Sequence, residues 1–426
     1  MKNIILLRRR CFMKKIFKNY KQTIILLISL LIGACIGLIF KEKASILSPL
    51  GDLFLNMMFV LIVPLIFLTI TTSIAKITHP KRLGKVLTSI LTVFIITSLV
   101  AVLVGIVSTY SFKLVNPKDT ASIKTSMSND NAQDVKLSLL ERTVSAISVE
   151  DFSLILSKNN ILALVIFSIF VGIAISKLGN EAKPFKDLLE SANKVINKVL
   201  EFAFMYAPIG LGCYFASLIG TFGNEIAIGY LKTFIIYLVV SILFYLIIYS
   251  IYAYIAGGKK GLKSYWKNII PATATSIATC SSAASIPVNM DCSKKIGVSN
   301  DIAETTIPLG TSFHKDGSLI GSVFKIMFLA YLFGIDVTST ASVIKIITTS
   351  VIANLLIVAV PVGGGTISEM MIITLMGFPI ASLPILTVIA TIIDAPATML
   401  NVVGDTASSM LVSRMVDGKK WLKQKI

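Results

Sequence analysis

Near the C-terminus, in "TIIDAPATMLNVVGDTASSM", four polar residues recur at i, i+4, i+7 and i+11: Asp394, Thr398, Asn401 and Asp405. At about 100° per residue those offsets share one helical face. Two carboxylates, a hydroxyl and an amide are therefore offered to the same partner. A second group is denser: "GTSFHKDGSLIG" sets His314, Lys315 and Asp316 side by side in an apolar stretch. Ionisable side chains within a membrane mark substrate pathways, ion sites or proton relays. Hydroxyls and amides alone would often serve only to hold helices together, and for Thr398 alone that reading suffices.

The elements that must position these residues are membrane helices. The chain has 426 residues, 55% hydrophobic and 15% charged, with mean hydropathy +0.83, which is far from a water-soluble domain. Unbroken apolar runs such as "TIILLISLLIGACIGLIF" and "SILTVFIITSLVAVLVGIV" approach or exceed the ~20 residues that cross a bilayer core. Barrel strands would alternate, and these runs do not. The expectation is an all-α membrane protein with spans at 22–40, 46–77, 84–113, 153–178, 186–222 and 227–256.

A net charge of +18 raises the question of a nucleic-acid partner. The cations fall instead in the first 21 residues, "THPKRLGK", "SKLGNEAKPFK", "GGKKGLKSYWK" and the tail "DGKKWLKQK", which are alternate loops. By the positive-inside rule both termini are then cytoplasmic, at 1–21 and 416–426, and no nucleic acid is needed to explain the charge. The apolar run in "MKNIILLRRRCFMKK" is too short for a signal peptide, and Met13 is an alternative start to Met1. Five scattered cysteines and two histidines give neither a disulfide framework nor a zinc set.

From Ile269 onward the apolar segments are broken by Pro, Gly, Ser and Thr: "IIPATATSIATCSSAASIPVNM", then the His314 stretch, then "IANLLIVAVPVGGGTIS". Non-helical backbone survives at membrane depth only inside protein or against an aqueous cavity. Two interrupted segments in one half of a chain read as re-entrant hairpins around a transporter site. A channel would not need the inward Asp394. An intramembrane hydrolase would need a nucleophile motif that Ser281 lacks, with His314 in no such context.

At these residues the chain resembles the dicarboxylate/amino acid:cation symporters, the family of glutamate and aspartate transporters and neutral amino acid exchangers. The resemblance runs from Tyr20 to the end. It rests on "PLGDLFLNMMFVLIVPLIF", "HPKRLGK", "ITSLVAVLVGI", Asn116–Pro117, "MYAPIG", "CSSAASIPV", "IPLGTSF" leading into "KDGS", "VPVGGG" and "NVVGD". It implies a homotrimer of elevator-type protomers in the cytoplasmic membrane, each with eight spans and two hairpins. Scaffold helices would lie at 22–77 and 153–222, and the moving part at 84–113 and 227–415.

The resemblance also implies roles. Asp394 would hold an α-amino group, as a buried carboxylate suits an ammonium, with Thr398 and Asn401 as further contacts. Ser281 and Ser282 would hold the α-carboxylate beside helix N-termini, and Ser318 stands where the family has Thr. Val360 and Gly364 would form the tip of the second hairpin, the extracellular gate. Gly310, Asn401 and Asp405 would make one sodium site, and Thr97, Ser98 and Asp316 another, through oxygens suited to a hard cation. No cofactor is implied; the coupling ion would be sodium or a proton.

Two departures shift the expectation. Ala397 stands where acidic-substrate members carry an arginine, so a small neutral amino acid fits better than a dicarboxylate, whose second charge would be buried unpaired. A proton- or sodium-coupled glutamate, aspartate or dicarboxylate symporter is the alternative. The family's Asn-Met-Asp-Gly-Thr motif reads His314, Lys315, Asp316, Gly317, Ser318 here, which weakens the sodium sites and suggests Lys315 as an internal cation.

Overall fold

The computed structural model describes residues 25–26, 28–75, 83–115, 148–157, 160–222, 224–355, 364–419 and 421–422, and among them every regular element is a helix. Helix α1 (28–40) runs through a 3-10 segment, Lys41–Leu47, into α2 (Ser48–Ala75). Helix α3 spans Leu83–Ser111. A single turn, Phe152–Ile155, is capped by Asp151, whose carboxylate accepts from the Ser153 N–H. Then come α4 (Ile161–Leu178) and the long α5 (Lys183–Phe222).

Helix α6 (Asn224–Leu243) continues through a π turn, Phe244–Ile248, into α7 (Tyr249–Asn268). The arm kinks at Gly258, whose φ of 63° is one that glycine adopts without cost. The basic segment beyond the kink, expected as a loop, is helical to Asn268, because Gly261 and Tyr265 bury themselves along it. Conversely, the span expected to start at 153 is continuously helical only from Ile161.

The broken segments fold as paired short helices. Helix α8 (Ile270–Thr279) turns at Cys280, in the left-handed conformation, and Ser281 into α9 (Ser282–Ile296), which packs back on α8. Helices α10 (Asn300–Phe313) and α11 (Asp316–Leu332) are parted at His314 and Lys315. Helices α12 (Thr340–Leu355) and α13 (Gly364–Met376) pack together as a second hairpin. Its expected tip residue Val360 lies outside the described residues, and Gly364 opens α13. The 34-residue α14 (Leu383–Val416) closes the chain.

These helices pack in two groups. Helices α4 and α5 both lie on α2, and α1 joins them by backbone contact: a Cβ on Gly33 would stand 2.2 Å from the Gly212 carbonyl oxygen of α5, and one on Gly37 2.5 Å from that of Ala216. Small residues four apart on both helices permit this approach, the usual packing device where lipid leaves no hydrophobic drive between helices. The second group, α3 and α6 to α14, wraps around α11 and α14. Exposed apolar stripes at helical spacing, Ile228, Leu231, Ile235, Val239 and Ile242 on α6 and Leu91, Ile95, Leu99, Leu103 and Val107 on α3, mark faces turned to lipid.

Among the described residues, three helices are long and apolar enough to cross a membrane, Lys85–Ser111, Ile226–Asn268 and Ile380–Val416. The pair Lys183–Ala203 and Met205–Thr221, bent by 49°, makes a fourth if taken as one span. The expectation of eight spans goes beyond this count.

Candidate functional site

The break between α10 and α11 is pressed against the middle of α14 with no room for side chains at the contacts. A Cβ on Gly310 would sit 2.3 Å from Asp405 Oδ1, and one on Gly404 would sit 2.9 Å from Asp316 Oδ2. The backbone at the break is extended, with φ and ψ of −124° and 109° at His314 and −140° and 71° at Lys315. The His314 N–H still closes α10 on the Gly310 carbonyl at 2.8 Å.

This geometry drives the His314 side chain inward, fully buried between two buried carboxylates. Its Nδ1 stands 3.0 Å from Asp405 Oδ1, and its Nε2 3.1 Å from Asp316 Oδ1 and 2.8 Å from Thr97 Oγ1. The Thr97 hydroxyl also lies 2.8 Å from the Val93 carbonyl. The imidazole stacks on Phe94 with centroids 4.5 Å apart. The Tyr249 hydroxyl donates to Asp316 Oδ2 at 3.1 Å and to the Leu400 carbonyl at 2.8 Å. Ser98, next to Thr97, is buried on α3, and Lys315 is half-buried at the start of α11.

One turn away, Asn401 reaches across to α11: its Oδ1 accepts from the Ser318 N–H at 3.1 Å and its Nδ2 donates to Ser318 Oγ at 3.0 Å. Farther along the same face Asp394 is half-buried and accepts a long hydrogen bond, 3.4 Å, from Thr398 Oγ1. Ala397 is buried between them, and Pro396 withdraws one helical N–H from this stretch. The stripe thus stands as spaced in the sequence, but divided: Asp405 belongs to the histidine cluster, Asn401 to Ser318, and Asp394 meets Thr398.

At the first hairpin tip Ser281 caps α9, its Oγ accepting from the Ala284 N–H at 3.2 Å, and Ser282 opens the helix. Both are half-buried. The hairpin is held along α14 by residues that sequence reading passed over. Asn289 donates to the Val402 carbonyl at 2.7 Å and accepts from Thr406 at 2.5 Å, and Ser293 bonds Ser409 at 2.8 Å. A buried ion pair was also missed: Lys325 on α11 stands 3.2 Å from Glu369 on α13, whose other oxygen accepts from Thr387 on α14 at 2.7 Å. Charged residues inside apolar runs were the signal that could have found it.

At the sodium sites that the resemblance implies, Asp405 Oδ1 and Thr97 Oγ1 lie 3.0 and 2.8 Å from the ring nitrogens of His314. Asp316 Oδ1 and Asp405 Oδ2 are buried without a hydrogen-bond partner, and such oxygens suit a hard cation.

Comparison with known proteins gives this seam its setting. Residues 23–415 match the sodium:dicarboxylate symporter family. A proton/sodium-glutamate symport protein of Bacillus caldotenax is 26% identical over 403 residues, 91% of this chain and 92% of the relative. A C4-dicarboxylate transport protein of Bacillus subtilis is 25% identical over 405 residues, 94% of each chain. Human excitatory amino acid transporter 2 is 22% identical over 458 aligned positions, 93% of this chain and 79% of the relative. With the match running over nearly its whole length, the chain is a membrane transporter, not an enzyme, and belongs to the sodium:dicarboxylate symporter family.

Proposed function

We propose that the chain carries a small neutral amino acid across the cytoplasmic membrane. The movement is of the elevator type, with the α3 and α6–α14 group sliding against the α1, α2, α4 and α5 group. The working unit is a homotrimer, with eight spans per protomer and both termini cytoplasmic. Asp394 and Thr398 hold the α-amino group, and the first hairpin tip at Ser281 and Ser282 holds the α-carboxylate. Asn401 and Ser318 shape the floor, and Val360 and Gly364 belong to the second hairpin, which covers the site.

The carrying observation is Ala397, a side chain that offers no cation to a second carboxylate. Ala397 is buried beside Asp394, and no arginine occurs between Arg142 and Arg414. Arg414 is roughly 25 Å from Ala397 along α14 at ~1.5 Å per residue. Lys325 lies within electrostatic reach of Asp394 but is already neutralised by Glu369. A second buried carboxylate without a partner costs about 3 kcal/mol or more, roughly a hundredfold in affinity.

The names of the relatives favour a second reading, cation-coupled symport of glutamate or a C4-dicarboxylate. The two readings differ at Ala397, which offers no cation to a second carboxylate, whereas Asp394 suits the amino group of any amino acid and repels a substrate that has only carboxylates. The test is uptake by proteoliposomes carrying wild type or Asp394→Ala. Uptake of a neutral amino acid should vanish in the variant while its size on gel filtration is unchanged. Uptake at the wild-type rate would overturn the assignment.

A further inference from the structure

Beyond Gly258 the chain doubles back on itself. Along a straight helix Ser250 and Trp266 would stand ~24 Å apart, yet the Trp266 indole donates to Ser250 Oγ at 2.9 Å, and its ring meets Tyr245 edge-on with centroids 5.0 Å apart. A Cβ on Gly261 would lie 2.7 Å from the Ala253 carbonyl oxygen. From Lys259 the returning rod runs to Thr279 and keeps its helical phase across the junction of α7 and α8. There the Ile269 N–H donates to the Tyr265 carbonyl at 2.9 Å, and the Thr273 N–H to the Ile269 carbonyl at 3.1 Å. Pro271, which has no N–H to give, accounts for the nominal break. The far end of the rod is the first hairpin tip at Ser281.

One face of this rod is packed: Gly261, Tyr265, Ile269, Ala272 and Ser276 are buried. At about 100° per residue Lys260, Lys263, Lys267, Ile270, Ala274 and Ile277 share the opposite face, and all six are exposed. Lys259 borders them and is exposed too. The exposed face changes character along its length, with lysines over its first ~12 Å and apolar side chains over the next ~10 Å. No Asp or Glu occurs between Lys259 and Thr279. Among the described residues none of these four lysines stands in an ion pair, whereas Lys294 and Lys295 on α9 meet Glu304 at 2.6 Å and Asp291 at 2.7 Å. The fold therefore neutralises the cations of one hairpin arm and leaves those of the other for something outside it.

We propose that an anionic phospholipid occupies this face, its phosphate on Lys260, Lys263 and Lys267 and its acyl chain along Ile270, Ala274 and Ile277. Cations followed by hydrocarbon match such a lipid read from its headgroup inward. Lysine stems lie along apolar surface and lift their ammonium groups to headgroup level, and basic clusters at the membrane surface draw anionic lipid. The bound lipid steadies the arm that carries Ser281.

The proposal rests on the membrane reading of the chain and on no substrate, so its test uses none. Trp266 is half-buried on the same rod, one turn from both Lys263 and Ile270, and serves as the reporter. Its fluorescence is measured in a Trp421→Phe background, with wild type alongside, in phosphatidylcholine vesicles. A minor fraction of the lipid carries bromine in its acyl chains, as phosphatidylglycerol in one set and as phosphatidylcholine in the other. Brominated phosphatidylglycerol should quench at a concentration about tenfold lower, since each lysine near an anionic headgroup adds to the attraction. Lys260→Gln/Lys263→Gln/Lys267→Gln should abolish that preference. Lys177→Gln/Lys183→Gln/Lys194→Gln, which removes as much charge from exposed positions on α4 and α5, should keep it. Soluble glycerol phosphate should not compete. Equal quenching by the two lipids, or none by either, overturns the proposal. So does equal loss in both triple variants, which would mean attraction by overall charge, and so does displacement by glycerol phosphate, which would mean a phosphate site with no part for the acyl chain. Failure of the neutral-substrate reading would leave every one of these outcomes unchanged.

Discussion

Removing Lys325 alone should damage the protein more than removing Lys325 and Glu369 together. The pair is buried, at 8% and 1% side-chain exposure, with 3.2 Å between Nζ and Oε1. It ties α11 to α13, and Glu369 is tied in turn to α14 through Thr387 at 2.7 Å. In Lys325→Met the carboxylate keeps only the Thr387 hydroxyl. Breaking one side of a buried pair costs about 3–5 kcal/mol. In Lys325→Met/Glu369→Leu no charge is left, and Thr387 still donates to the Leu383 carbonyl at 3.1 Å. Replacing a whole buried pair by apolar side chains is neutral or stabilising by ~1–4 kcal/mol. The double variant should therefore recover most of the loss, with a coupling energy of roughly 3 kcal/mol. Unfolding in detergent can be followed through Trp266 and Trp421, which bond Ser250 and the Ala256 carbonyl on α7. A single variant as stable as wild type, or a double variant that merely sums two losses, would refute the reasoning.

Asn289→Leu removes the two bonds of Asn289 to α14 and leaves that of Ser293. A loss of about 1–3 kcal/mol is expected, together with faster hydrogen exchange confined to the first hairpin. Uniform protection in that variant would count against the clip. Gly310→Ala forces a methyl to 2.3 Å from Asp405 Oδ1. It should cost ~1–3 kcal/mol by overpacking and lower the unfolding midpoint, whereas an unchanged midpoint would mean that Gly310 is not packed against the Asp405 side chain.

Much of the architecture was legible because the bilayer imposes simple rules. Apolar runs read as helices, and Pro, Gly and Ser clusters announced the broken segments that fold as α8–α9 and α10–α11. The stripe on α14 followed from spacing alone, since Asp394, Thr398, Asn401 and Asp405 lie within one uninterrupted helix. Which of two neighbours turns inward at a break is a different matter. His314 and Lys315 are adjacent, and in extended backbone they leave the chain in opposite directions. Only the dihedrals at the end of α10 decide that the imidazole lies between Asp316 and Asp405. Tyr249 and Phe94 were invisible for a related reason: a lone aromatic in an apolar helix carries no mark of the polar group it will meet. Lys325 and Glu369 did carry one, as charges inside the apolar runs "SVFKIMFLAYLF" and "TISEMMIITL", and should have been read as a pair.

The most direct measurement on the central claim is a calorimetric titration of purified protein with small neutral amino acids, aspartate and succinate, on wild type and on Ala397→Arg. Wild type should bind a neutral amino acid, with aspartate weaker by roughly a hundredfold and succinate, which has no amino group for Asp394, not binding. Ala397→Arg should gain affinity for aspartate through a charge-assisted pair. Succinate or aspartate as the tightest ligand of wild type would contradict the account.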